Sequence, residues 1–327
     1  MIAQYEVAIA YTIPSIALGV GILIFIAGTK RYARAKPDRK ALWTSLRIIT
    51  SPLCCKTVAS NKESNGGKFE DSRVEGLKNL LLVFPASFLV VPFNMVYNQM
   101  ITCFMVQRNA MRSVGFVDPS MMTNVDSISV LFWGAVYQSL ICPSLKKRGI
   151  RLKTTHKFAI GTAIGALAVL AAIIVDYAIH RSGYNEISIL WQFWQFFFIG
   201  AGEILTISIA YDVTFTIAPK EQKALASGLN LFVIGTLSNF ICIGMYNACE
   251  SWFPTDSTDP SEYAGAKVYN YLWILFSISC GGSLFNLLPP VSSWLEQVMD
   301  QAIELNLRQK SGGAESTTRL LSDSYVL

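Results

Sequence analysis

Seven stretches of the chain run for 18 residues or more with scarcely a charged side chain: 7–29, 79–107, 127–145, 158–175, 187–211, 224–249 and 268–295. A helix needs about 20 mostly apolar residues to cross the hydrocarbon of a bilayer, so the pattern predicts seven membrane spans. A soluble protein with large buried helices has no need of repeated charge-free runs of this length. The first run is expected to stay in the membrane. Residues 1–6 lack the basic start of a signal peptide, and the run exceeds the roughly 7–15 residues of a signal core.

Charge orients the spans. Only 15% of the 327 residues are charged, against about 25% in a soluble domain. Of 27 Lys and Arg, twelve fall in 30–78, six in 146–157, two at Lys220 and Lys223, and three from Arg308 onward. These are alternate loops, which the positive-inside rule assigns to the cytosol, whereas 250–267 is net acidic. The expected topology is an integral, multi-pass protein of the plasma membrane or an endomembrane, with Met1 outside and Leu327 in the cytosol. The net charge of +5 then follows from topology and contact with anionic lipid, and no nucleic-acid partner is required.

The predicted organisation is a first span (1–29), a cytosolic linker (30–78), a six-helix bundle (79–295) and a C-terminal region (296–327). In the linker, 60–67 has the Ser, Asn and Gly composition of a flexible tether. Beyond span seven, Trp294, Leu295, Val298, Met299, Ala302 and Ile303 recur at helical spacing opposite Glu296, Gln297, Asp300 and Gln301. That pattern suits an amphipathic helix lying on the inner leaflet, or an extension of span seven; disorder is expected from Gln309 on. The seven cysteines, at 54, 55, 103, 142, 242, 249 and 280, make no spaced disulfide framework. Cys54 and Cys55 are candidates for S-palmitoylation, unmodified linker thiols being the plainer reading.

The sharpest chemical signal is Glu203, near mid-depth of span five. Insertion scales put a central acid at about 2.5–3.5 kcal/mol, so such a group is expected to face a cavity or a partner. Burial favours the neutral form of a carboxyl, which makes it a candidate for proton uptake. Gln192, Gln195, Glu203 and Thr206 follow one another on a single helical stripe with Ile199. A second stripe in span two holds Asn94, Asn98 and Thr102, with Tyr97 and Gln99 beside it and Pro85 and Pro92 in the same span. Such amides serve equally as substrate contacts or as glue between helices. Ser129 and Asn230 complete the candidate cavity. Asp176 and Asp212 fall at predicted span ends, where charge is ordinary, and Asp212 is also a possible gate through a cytosolic Lys. His156 and His180 lie at opposite membrane faces. No metal cluster, phosphate-binding Gly loop or nucleophile with its base is evident, so the sequence points away from an enzyme and from any cofactor other than protons.

Several segments resemble the proton-dependent oligopeptide transporter family of the major facilitator fold. They are Gly28-Thr-Lys-Arg-Tyr-Ala-Arg-Ala-Lys-Pro37, Val96-Tyr-Asn-Gln99, Lys147-Arg-Gly149, Ile189-Leu-Trp-Gln192 through Glu203, and Ala218-Pro-Lys220. The resemblance implies that the seven spans correspond to the family's sixth to twelfth helices, with the first five expected outside this sequence. It implies proton-coupled symport of di- or tripeptides or a related small solute. Glu203 then occupies the tenth-helix position of the acid that couples protons and contacts the peptide's amino terminus. Where the family's seventh helix often has two acids before its Gln, this chain has Tyr97 and Asn98 before Gln99, and Ser129 stands at the eighth helix's usual Asn. Plant relatives carry nitrate and other solutes, so peptide and nitrate both stay open. Expected partners are the solute, the bilayer, and either N-terminal helices or a second copy. Two alternatives remain: a truncated, non-transporting paralogue or partner protein, and a seven-span receptor.

Overall fold

The computed structural model describes residues 6–32, 47, 62–69, 71–115, 121–218 and 222–311. Cys54 and Cys55, most of the linker, Pro219, Lys220 and the tail beyond 311 lie outside the described residues. The chain divides into two units, Met1–Thr44 and Ser45–Leu327. The first holds α1 (Glu6–Gly28), a 23-residue helix whose residues are almost all apolar.

The second unit carries the other apolar runs as helices. Span two is broken: α2 (Asp71–Phe88) is followed by α3 (Val91–Tyr97) and α4 (Cys103–Asn109), with a bend of 53° between the halves. Pro85 and Pro92 explain the break, since a proline ring has no N–H to donate and crowds the preceding turn. Span three is α5 (Met122–Val136), a π-helical turn at Tyr137–Ile141, and α6 (Cys142–Lys147). Span four is α7 (Thr154–Ser182). Span five is α8 (Phe193–Leu205) and α9 (Ile207–Ile217), and span six is α10 (Lys223–Leu231) and α11 (Ser238–Ala248) around a second π turn. A short helix α12 (Pro260–Gly265) precedes span seven, α13 (Val268–Leu287), and α14 (Pro289–Ser311) ends the described chain. Five of these spans are long and apolar enough to cross a membrane as single helices, and the bent span two makes a sixth.

One expectation for the linker differs from the structure. Part of the 60–67 tether is folded: the Glu63 N–H donates to Phe69 O at 2.9 Å, Gly66 takes the left-handed conformation that closes the turn, and Lys62 pairs with Glu75. The amphipathic segment forms α14, in which Leu295, Val298 and Ala302 are buried and which packs on α7 and α9. Lys153 and Glu296 pair at 3.0 Å across that seam. Part of its apolar stripe is thus covered by the bundle itself.

Asp176 also departs from the boundary reading, since it is fully buried. Its carboxylate accepts from the Tyr263 hydroxyl at 2.8 Å, the Tyr269 N–H at 3.1 Å and Gln107 Nε2 at 3.4 Å, with His180 Nδ1 at 3.6 Å. The acid thus ties α4, α7, α12 and α13 together at one end of the bundle. In the neighbouring exposed loop, Asp259 caps α12 by accepting from the Ser261 hydroxyl and N–H, which holds its carboxyl below the usual range. Replacing Asp176 with Ala leaves several buried donors without an acceptor, at about 1–3 kcal/mol each. We expect Asp176→Ala to lower the thermal midpoint of the purified chain substantially and Asp176→Asn to lower it less, as followed by fluorescence-detected melting.

Candidate functional site

Small residues set the place of Glu203. Gly161 on α7 and Gly202 on α8 meet so closely that a Cβ on Gly202 would lie 2.8 Å from the Gly161 carbonyl oxygen and clash with the Phe93 ring. Gly200 meets Ser129 on α5 in the same way, and the Ser129 hydroxyl donates to Phe197 O at 2.7 Å. Small residues let membrane helices approach backbone to backbone. With α5 and α7 both drawn onto the Gly200-Ala-Gly202 segment, the following Glu203 keeps part of its surface open. Three residues later Thr206 donates its hydroxyl to Gly202 O at 2.7 Å, and the backbone departs from regular helix at φ −118° and ψ −74°, dividing α8 from α9.

The amide stripe of span two joins helices. Asn94 donates to Ile234 O and, at 2.7 Å, to Ser238 Oγ, and Asn98 donates to the same hydroxyl at 3.2 Å. Gln99 donates to Met95 O at 2.9 Å, and the Ser87 hydroxyl reaches Asn230 Oδ1 at 2.6 Å. The polar start of span five behaves likewise: Gln192 donates to Phe104 O at 2.9 Å, and Gln195 to Gln107 Oε1 at 3.2 Å. Asn94, Asn98, Gln99, Gln192, Gln195, Thr206 and Asn230 are all buried. Beside this inner network, Asn98, Gln99 and Thr102 also line a cavity of about 430 Å³ between spans two and six.

Tyr97 and Glu203 are half-buried, and they lie within electrostatic reach of each other. A third group joins them. Asp126, one turn into α5, is 7% exposed, has a carboxylate oxygen with no hydrogen-bond partner among the described residues, and lies within reach of both Glu203 and Tyr97. The sequence reading placed Asp126 just outside span three because the charge-free run starts at Ser127. The helix begins earlier, at Met122, and carries the acid inside. Its signal was its spacing, for Asp126 and Ser129 are three apart and therefore share a face. Asp212 is exposed, and Lys157 on α7 stands within its electrostatic reach.

Comparison with known proteins bears on this arrangement. The family model described as PTR2, POT family, matches residues 3–255. Protein NRT1/PTR FAMILY 8.3 of Arabidopsis thaliana is 30% identical over 295 residues, covering 71% of this chain and 50% of that protein. Protein NRT1/PTR FAMILY 8.1 of the same plant is 30% identical over 186 residues, 52% of this chain and 32% of that protein. The probable peptide transporter ptr2 of Schizosaccharomyces pombe is 23% identical over 296 residues, 82% of this chain and 46% of that protein. The chain therefore spans a third to a half of the length of these curated relatives. Among solved structures, the POT family transporter PepTSo superposes with a TM-score of 0.65 at 16% identity, over 92% of this chain and 67% of that one. At that identity the likeness speaks for the fold, a partial major facilitator fold.

Proposed function

We propose, the chain being a member of the POT family, that its helices supply one half of a proton-coupled symporter for di- or tripeptides or a closely related amine-bearing solute. Family membership supports a component of a transporter over a receptor or an enzyme. The observation that supports the substrate class is the pair of acids on two helices that meet at Ser129 and Gly200: Asp126, buried with a carboxylate oxygen that has no hydrogen-bond partner among the described residues, and Glu203, half-buried. Two carboxyls at membrane depth attract an ammonium and repel an anion such as nitrate. In symport the proton and the solute cross together, so ionised Asp126 holds the amino terminus of the solute while Glu203 carries the proton, and both must leave before the empty site turns back. Alternating access then needs a second half on the other side of the site, one half rocking against the other.

The test is transport by this chain co-assembled in liposomes with the N-terminal helices of a POT relative. Dialanine is expected to be taken up, N-acetylated dialanine and nitrate to compete poorly, and Asp126→Asn to raise the KM for dialanine by about tenfold, or 1.4 kcal/mol. The same substitution should leave the weak competition by N-acetylated dialanine unchanged, because that compound brings no ammonium to the acid. Equal competition by nitrate would overturn the amine reading.

A further inference from the structure

We infer that a groove on the back of α8 binds one acyl chain of an anionic phospholipid, with the headgroup held at Lys157 and the basic turn between α6 and α7. Both α5 and α7 pack on α8, and α8 floors a groove of about 280 Å³ between them. Its walls are Trp133 and Ile141 of span three and Ile164 and Leu167 of α7, over a floor of Ala201 and Leu205. Ala201 and Glu203 are two residues apart, about 200° around the helix, so the groove turns away from the candidate solute site and is independent of which solute crosses.

Length and polarity name the occupant. From Lys157 to Leu167 the groove follows ten residues of α7, which at 1.5 Å per residue is about 15 Å. That is half of a hydrocarbon core about 30 Å thick, the depth of a single leaflet. The walls between those ends are aliphatic and aromatic, so a polar solute would lose its hydrogen bonds on entering, whereas a hydrocarbon chain loses nothing. The rim is basic. Lys157 lines the groove, and Lys146, Lys147, Arg148 and Arg151 are exposed on the turn beside it, with Asp212 within electrostatic reach of Lys157. Lys153 is engaged by Glu296. Basic pockets between membrane helices gather anionic headgroups, each cation near the surface adding about 1 kcal/mol.

The purified 327-residue chain, in neutral detergent, would be titrated with dioleoyl phosphatidylserine and dioleoyl phosphatidylcholine, and lipid retention read by native mass spectrometry. We expect retention of phosphatidylserine at severalfold lower concentration than phosphatidylcholine. Lys157→Gln should cost about fivefold for phosphatidylserine only, the ratio that about 1 kcal/mol gives, while Lys157→Arg should retain it. Leu167→Trp, at a position 46% exposed and so tolerant of bulk, should lower retention of both lipids by plugging the deep end. Equal retention of the two lipids, or an unchanged Lys157→Gln, would overturn the headgroup site. Competition by soluble glycerophosphoserine as effective as by the lipid, or no effect of Leu167→Trp in a variant with unaltered circular dichroism, would overturn the acyl groove.

Discussion

Glu203→Gln is expected to abolish proton-driven accumulation while leaving exchange of solute across the membrane intact, once the chain is assembled with an N-terminal half. Gln keeps the size and hydrogen-bonding reach of the side chain and removes its titration. The position tolerates the change sterically because Glu203 is only partly buried, and the close packing of α8 rests on Gly200 and Gly202. With one proton per solute, a step of one pH unit supports a gradient of about tenfold, since 1.4 kcal/mol is a factor of ten. In the variant that ratio should fall to one, while counterflow of labelled dialanine in preloaded liposomes continues. The double variant with Asp126→Asn should lose counterflow as well, for no carboxylate then remains to meet the ammonium. Undiminished accumulation by Glu203→Gln would place proton coupling elsewhere in the transporter.

Much of this fold was legible because lipid is a demanding solvent. A spanning segment must satisfy its backbone internally and present apolar side chains, so each charge-poor run announced a helix. Glu203 stood out for the same reason, as the one acid within its run. What the sequence did not resolve is which partner a buried polar group meets. Asn94 shares a stripe with Asn98 whether the stripe faces a solute or a helix, and its partner Ser238 lies 144 residues along the chain. Asp176 read as a headgroup-level charge because it follows a long apolar run, yet its partners Tyr263 and Tyr269 come from helices α12 and α13, 87 and 93 residues further along the chain. Asp126 was hidden by a boundary drawn at the last charge when the helix begins a turn earlier. In each case periodicity gave the face of the helix, and only tertiary packing gave what that face touches.

The 327-residue chain expressed by itself is expected to insert and fold but not to accumulate dipeptide. Its amide stripe does not argue for collapse, because Asn94, Asn98 and Gln192 find partners within spans two, five and six. The six-span unit is thereby cross-tied from within, and the buried polar atoms still without a hydrogen-bond partner among the described residues include Asp126 Oδ1, Gln192 Oε1, Gln195 Oε1 and Asn230 Nδ2. Transport is another matter, since a midplane site that opens alternately to each side requires two halves moving against one another, and the chain matches only a third to a half of its curated relatives. Co-expression with the N-terminal helices of a POT relative as a separate chain should restore uptake, because independently inserted helices associate afterwards through packing of small residues and polar contacts. In liposomes holding the 327-residue chain alone, a proton gradient should leave internal dialanine equal to external. Accumulation there would overturn the requirement for a complementary half and would mean that a second copy of the chain supplies it, with Glu203 then facing Glu203 across a two-fold interface.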